Sequence, residues 1–288
     1  MKGDDMKKIG VLGCGLMGSG IAQISALAGY STTVVEINDA ILKRGLGIID
    51  DWLEKGKKRG KLTEEQVAAA KKNLTSSTSI AALKDCDLVI EAVTENTELK
   101  KQVFKQLSDV TRPDAILATN TSSISVTEIA TVVKNPERMV GMHFFNPVPV
   151  MKLVEIIKGL ATTDAVMAAS REFALSVGKE PITCPDTPAF VVNKLLIPYL
   201  LDAVRMVQDG IATPEDVDKA MVHGCGYPMG PITLLDYVGL DTTLHAADVM
   251  YAEFRETKYA APVLLRRMVQ AGRWGRKSGQ GFYPYEKK

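Results

Sequence analysis

The stretch that most constrains this chain is residues 7–36. Residues 7–12 form a short apolar run ending in Gly13-Cys14-Gly15-Leu16-Met17-Gly18. Residues 19–29 then show helical periodicity, with Ile21, Ile24 and Ala28 on one face and Gly29 as the stop. Residues 32–35 are a second strand rich in β-branched side chains, closed by an acid, Glu36. Strand, glycine turn, helix, strand and acid is the order of a dinucleotide-binding βαβ unit. In such a unit Gly13 permits the tight turn, Gly15 lets a pyrophosphate approach the backbone, and Gly18 lets helix and strand pack closely. The phosphates rest on N–H groups at the helix N-terminus, where the macrodipole favours an anion. Glu36 follows Gly18 by about 20 residues, the range from which a carboxylate takes the ribose hydroxyls. A lone Gly-x-Gly-x-x-Gly matches many structural turns; the surrounding order favours a binding site here over the alternative, a tight turn with no ligand. A carboxylate at Glu36 repels a 2′-phosphate, and neither Ile37 nor Asn38 brings a cation. NAD is therefore expected over NADP, with Lys43 and Arg44 keeping the contrary open.

Bulk numbers narrow the class. The 288 residues suit one large or two moderate domains, and 46% hydrophobic with 24% charged residues is ordinary for a soluble globular chain. A net charge of +1 gives no global field toward nucleic acid or membrane. Cys14, Cys86, Cys184 and Cys225 lie far apart without metal-ligand spacing. They read as reduced thiols of a cytoplasmic protein, and no metal site is expected. The first residues, Met-Lys-Gly-Asp-Asp-Met, resemble neither a signal nor a transit peptide, and no run approaches the ~18 apolar residues of a membrane span.

Residues 41–61 are a basic helical stretch that includes Lys58 and Arg59, and Thr63 to Gln66 opens a second helix with a capping box. Together they predict a helical hairpin inserted at about 40–73. Its cations are either a solvated face or a contact for a polyanionic substrate tail. Residues 87–93 are a buried-looking strand followed by Glu95 and a helix over 98–110. Residues 115–118 are another strand, ending in Thr119-Asn120-Thr121-Ser122-Ser123. Such alternation predicts an α/β Rossmann-like doubly wound, mostly parallel sheet, whose ligands bind beyond the carboxyl ends of its strands. Glu95, Asn120 and Ser122 fall at such ends, where a plain turn is the competing explanation.

Residues 138–145 alternate as a strand with His143 on one face, Asn146-Pro147-Val148-Pro149 breaks it, and 152–157 form the next strand with Glu155. Neighbouring strands can set His143 beside Glu155. A carboxylate on one imidazole nitrogen fixes the tautomer and leaves the second nitrogen to act as a base. The alternative is a core histidine bonded to backbone, with Glu155 exposed. A helix over 162–178, a short strand over 181–183 and a proline-bearing linker over 184–188 complete an N-terminal domain of residues 1–186. Residues 187–288 then read as an all-α C-terminal domain. Its first helix, 190–208, contains Pro198, expected to bend it, and Asn193, an amide one turn into an apolar element. A helix is expected to start at 213–216, with cap and Pro at its first position, and further helices at 234–238, 241–254 and 262–271, before a Gly- and Lys-rich tail. His223 and His245 show no acid–base constellation. An apolar helical domain of ~100 residues rarely covers itself, so a homodimer through this domain is expected.

These motifs resemble the L-3-hydroxyacyl-CoA dehydrogenase family. The marks are Gly13-Cys-Gly-Leu-Met-Gly18-Ser-Gly-Ile-Ala-Gln23, Glu91-Ala-Val-Thr-Glu-Asn96, Thr119-Asn-Thr-Ser-Ser-Ile124 and His143-Phe-Phe-Asn-Pro147. Val192-Asn-Lys-Leu-Leu196, Pro228-Met-Gly-Pro231 and Gly279-Gln-Gly-Phe-Tyr283 follow in order. The resemblance spans nearly the whole chain and implies NAD-dependent oxidation of a short-chain (3S)-3-hydroxyacyl-CoA, or the reverse reduction. It makes His143 the general base and Glu155 its orienting carboxylate, with Ser122 and Asn193 contacting substrate. It implies that Leu16, Met17, Ala92, Glu95, Lys100, Asn120, Ser122 and Asn146 line the cofactor, that Lys277 reaches it from the tail, and that Lys58 and Arg59 meet the CoA phosphates. Two other readings compete: a lysine-based dehydrogenase of a free hydroxy acid, and a non-catalytic NAD-binding protein on the same fold. The His143, Glu155, Ser122 and Asn193 set speaks against both.

Overall fold

The computed structural model describes residues 6–286, so residues 1–5 of the N-terminal reading lie outside the described residues. The contacts divide the chain into two units, between Thr187 and Pro188.

The first unit is built on an eight-stranded sheet. Strand β1 (Lys8–Leu12) is buried from its second residue on and leads into the glycine turn. Helix α1 (Leu16–Leu27) starts three residues earlier than its apolar periodicity indicates, because Gly15 itself, in extended conformation, is the N-cap. Strand β2 (Ser31–Val35) follows, then helices α2 (Asp39–Lys58) and α3 (Glu64–Asn73) and strand β3 (Leu74–Ser77). The chain continues through β4 (Leu88–Glu91), α4 (Thr97–Val110), β5 (Ile116–Thr119), the short α5 (Val126–Ala130) and β6 (Met139–Phe144). It closes with β7 (Leu153–Lys158), α6 (Asp164–Ser176) and β8 (Glu180–Pro185). Strand order is β3-β2-β1-β4-β5-β6-β7-β8, and every pairing is parallel except β6 with β7.

The capping box at α3 forms as the sequence indicates: the Thr63 hydroxyl accepts from Gln66 N–H and the Gln66 amide oxygen accepts from Thr63 N–H. The α2–α3 pair is not a mere insertion, however. It is the crossover that carries the chain from β2 to β3, which pairs parallel with β2. Sequence periodicity misses β3 because Leu-Thr-Ser-Ser has no apolar alternation. An edge strand half in water does not need one, and Thr33 and Thr75 share a hydroxyl hydrogen bond of 3.1 Å across the pair.

From β1 the chain winds toward one edge through β2 and β3, then returns to build β4 on the other side of β1. That reversal opens the crevice in which ligands of such sheets bind. Gly13 sits there with φ +98°, and a Cβ on it would lie 2.7 Å from the Ala92 carbonyl oxygen at the end of β4. The close packing at Gly18 is against the turn itself: a Cβ there would lie 1.8 Å from the Gly13 carbonyl oxygen. Around Gly15 nothing lies within 4 Å, so its missing side chain leaves open space.

The second unit is helical, with α7 (Val192–Gln208), α8 (Pro214–Lys219) running into a π-helical turn, α9 (Pro231–Val238), α10 (Leu240–Phe254) and α11 (Val263–Gln270). Its core gathers Ile197, Leu200, Leu201, Val204, Leu235, Leu240, Ala247, Met250 and Leu265. The tail is clipped to this core by buried Asp236, whose two carboxylate oxygens accept from Phe282 N–H and Tyr283 N–H at 2.9 Å each. Among the described residues no helix is long and apolar enough to cross a membrane.

The two glycine environments predict opposite outcomes in urea unfolding. Gly18→Ala forces backbone apart and should lose about 1–3 kcal/mol or more. Gly15→Ala meets no atom and should stay within about 0.5 kcal/mol of the parent.

Candidate active site

The turn after β1 has the features a pyrophosphate requires. Helix α1 begins with no side-chain cap and no acid in its first turn, and a Cβ on Gly15 would meet nothing within 4 Å, which leaves room for an anion at the helix N-terminus. Leu16 is exposed at that mouth and Met17 is half-buried. Glu36, just past β2, bends over the turn: its carboxylate accepts from Cys14 N–H at 3.2 Å and Asn38 N–H at 3.3 Å. A carboxylate so placed fits a ribose diol. Cys14 is packed below the turn, where burial, and then the charge of Glu36, push its thiol up to about 11.

A second polar cluster stands at the carboxyl ends of β4 and β5. One oxygen of Glu95, Oε1, accepts from the Thr121 hydroxyl at 2.6 Å, from Ser122 N–H at 3.0 Å and from the Ser122 hydroxyl at 3.3 Å. The N–H and hydroxyl of Ser123 reach the same oxygen. Its other oxygen is 3.5 Å from the ammonium of Lys100, which is itself 2.7 Å from Glu91. Burial pushes Glu95 up, but Lys100 and the donors of Thr121, Ser122 and Ser123 outweigh it, and the carboxyl lies below its ordinary range. Burial dominates at Glu91 and pushes it up, against the pull of Lys100, Thr119 and Val93 N–H.

The third element is the antiparallel pair β6–β7. Its register sets His143 directly opposite Glu155, and Nδ1 of the imidazole is 2.6 Å from Glu155 Oε2. Glu155 is fully buried and His143 is 8% exposed, with the Phe145 ring 4.5 Å away, centroid to centroid. The strand end is tied to the neighbouring loop by Asn120, whose Oδ1 accepts from Phe144 N–H at 2.9 Å. Asn120 thus holds the backbone next to His143, a role the residue's place in a turn did not announce. Asn146 is exposed in the loop that leaves β6. Buried Lys179 anchors that loop by donating to the Met151 and Val148 carbonyls.

The remaining sequence candidates stand on other elements of the chain. Lys58 and Arg59 are at the end of α2, beside Lys57, which is engaged by Glu54 at 3.0 Å and Glu64 at 2.9 Å, so the basic stretch is partly neutralised. Asn193 is the second residue of α7, not a turn inside it, because Ala189 and Phe190 take positive φ and delay the helix. The ammonium of Lys277, in the tail of the helical unit, is 2.6 Å from Asp241. In the sequence Glu91 stands out only as the first residue of the Glu91–Asn96 motif. The available signal was an acid ending an otherwise apolar strand, nine residues before a lysine. Among the described residues no three His, Cys, Asp or Glu side chains gather as a metal set.

Comparison with known proteins adds the family. The model for the 3-hydroxyacyl-CoA dehydrogenase NAD binding domain matches residues 8–187, and that for the 3-hydroxyacyl-CoA dehydrogenase C-terminal domain matches residues 190–285. A 3-hydroxybutyryl-CoA dehydrogenase of Mycobacterium tuberculosis is 50% identical over 284 residues, covering 98% of this chain and 99% of the relative. The human mitochondrial hydroxyacyl-coenzyme A dehydrogenase is 41% identical over 288 residues, covering 98% of this chain and 92% of that protein. The crystal structure of (S)-3-hydroxybutyryl-CoA dehydrogenase from Ralstonia eutropha matches with a TM-score of 0.96 at 44% identity, covering 98% of this chain and all of that one (100%).

The packing under the glycine turn predicts selective thiol chemistry. With its thiol at about 11 against an ordinary 9.0, Cys14 has a thiolate population roughly 100-fold below that of an unperturbed cysteine at pH 8. Iodoacetamide at pH 8 should modify exposed Cys225 and spare Cys14, as read by peptide mass mapping.

Proposed function

Because the chain belongs to the 3-hydroxyacyl-CoA dehydrogenase family, we propose that it interconverts a short-chain (3S)-3-hydroxyacyl-CoA, 3-hydroxybutyryl-CoA above all, and the 3-oxoacyl-CoA. It is an NAD-dependent 3-hydroxyacyl-CoA dehydrogenase. The preference for a four-carbon acyl group rests on the names of its relatives. The observation that carries the chemistry is the 2.6 Å contact between His143 Nδ1 and buried Glu155.

NAD, when bound at the Gly13–Gly18 turn, supplies the acceptor for the hydride that leaves carbon 3 of the substrate. The protein's own part is the proton. With Nδ1 held by Glu155, the imidazole presents Nε2 to the substrate hydroxyl and takes its proton there. The imidazolium so formed gains a positive charge beside a carboxylate shielded from water, where a short contact is worth far more than at the surface. In the reverse direction the same imidazolium returns the proton to the 3-oxo oxygen. Ser122 is the proposed hydroxyl partner of the substrate. Glu95, Asn120 and Asn146, together with Leu16, Met17 and Ala92, are proposed to line the cofactor; Lys100, which the family resemblance also assigns there, is fully buried between Glu91 and Glu95 and would act on it through Glu95. Asn193, Lys58, Arg59 and Lys277 enter as contacts for substrate and cofactor on the family resemblance alone.

Three further parts of the proposal have separate supports. NAD is favoured over NADP because Glu36 covers the turn with a carboxylate that repels a 2′-phosphate. A homodimer through the helical unit is supported by the large apolar side chains that unit leaves exposed, Leu195, Ile211, Tyr237 and Val263 among them. A cytoplasmic location is supported by four cysteines that form no disulfide.

Positioned proton transfer contributes about 10²–10⁴-fold. His143→Ala should therefore lose acetoacetyl-CoA-dependent NADH oxidation by that factor while binding NADH with nearly unchanged affinity, measured by fluorescence titration. Retention of most of the activity would refute the assignment.

A further inference from the structure

Beneath the loop that carries Ser122 lies an ionic chain that proton transfer at His143 does not use. Glu91, the last residue of β4, is fully buried, as is the Lys100 side chain. Glu91 Oε1 accepts from Lys100 Nζ and from Val93 N–H, both at 2.7 Å, and Oε2 accepts from the buried Thr119 hydroxyl at 2.7 Å. The Glu91 carbonyl accepts from Asn120 N–H at 2.8 Å. One side chain thus joins the ends of β4 and β5 and the first turn of α4. From Lys100 the chain runs 3.5 Å to Glu95 Oε2, and the opposite oxygen of Glu95 gathers Thr121, Ser122 and Ser123.

We propose that Glu91 is a positioning residue for turnover: it divides the Lys100 ammonium between two carboxylates and so fixes the orientation of Glu95, which in turn places the Ser122 hydroxyl. The inference rests on the assignment of Ser122 as a substrate contact. Its physical basis is the unequal spacing. Lys100 is drawn to Glu91 at 2.7 Å and stands off from Glu95 at 3.5 Å. A buried ammonium that loses one carboxylate has strong reason to close on the other, because an uncompensated buried charge is costly. Closing on Glu95 Oε2 would rotate the carboxylate about the very bond that orients Oε1. The donors of Thr121, Ser122 and Ser123 all meet at that oxygen, so the loop would shift as a unit. Displacements on the order of 1 Å at a positioning group cost about 10²-fold in rate.

Glu91→Gln keeps the side-chain volume and an oxygen acceptor while removing the charge that holds Lys100. It should lower kcat for acetoacetyl-CoA reduction by roughly 10- to 100-fold. The decisive readout is its combination with Ser122→Ala. If Glu91 acts by placing Ser122, then Ser122→Ala should cost no more than about twofold once Glu91 is already Gln, whereas a merely structural role makes the two losses multiply. Thr119→Val, which frees the other Glu91 oxygen, carries the same cycle should Glu91→Gln fail to fold, with a smaller loss and the same non-additivity. Multiplying losses, or wild-type kcat in Glu91→Gln beside an impaired Ser122→Ala, overturn the inference alone. Wild-type turnover in Ser122→Ala overturns the site assignment and the inference with it.

Discussion

The structure turns on one buried contact, an imidazole against a carboxylate between two antiparallel strands. A fully buried carboxylate is costly unless a donor or cation satisfies it. Here β6 and β7 supply the donor by register alone, because His143 and Glu155 are direct partners across the pair. A one-residue slip of either strand would leave the two side chains on opposite faces of the sheet and part the imidazole from the carboxylate. The single antiparallel pairing in an otherwise parallel sheet therefore has a chemical consequence. It lets two residues only twelve positions apart meet without a crossover helix between them.

Two other polar features serve the same carboxyl-end edge of the sheet. At the reversal between β1 and β4, close backbone approach excludes side chains at Gly13 and Gly18 and leaves space at Gly15. Glu36 then sets the sign of the field over that space. Further along the edge, Asn120 binds the backbone beside His143, and Glu95 draws Ser122 into a fixed hydroxyl cluster. Lys179 steadies the loop that carries Asn146. In each case a side chain from one strand end fixes backbone from the next, so the edge behaves as a connected polar layer above an apolar sheet.

How much of this was legible in the sequence follows from what makes a signal local. The glycine turn, Glu36 and the capping box at Thr63 are short-range and read directly. The alternation around His143 and Glu155 gave the right faces, yet whether the two met depended on pairing, which no single strand encodes. Strand β3 was invisible because its stability comes from an edge pairing with β2 and not from its own pattern. The start of α7 was displaced because two left-handed residues, Ala189 and Phe190, do not show in a hydrophobic period. Glu91 was passed over because a buried acid has meaning only through its partners. Lys100 and Thr119 are nine and twenty-eight residues away.

The Glu155 carboxylate makes His143 an effective base. Glu155→Gln preserves size and removes the charge, so its turnover number in acetoacetyl-CoA reduction, measured at saturating NADH, reads that contribution. The expected result is a loss of at least about 10-fold, and up to the ~10⁴-fold seen when a base loses its orienting carboxylate, with NADH affinity unchanged. A variant that turns over at the wild-type rate would contradict it.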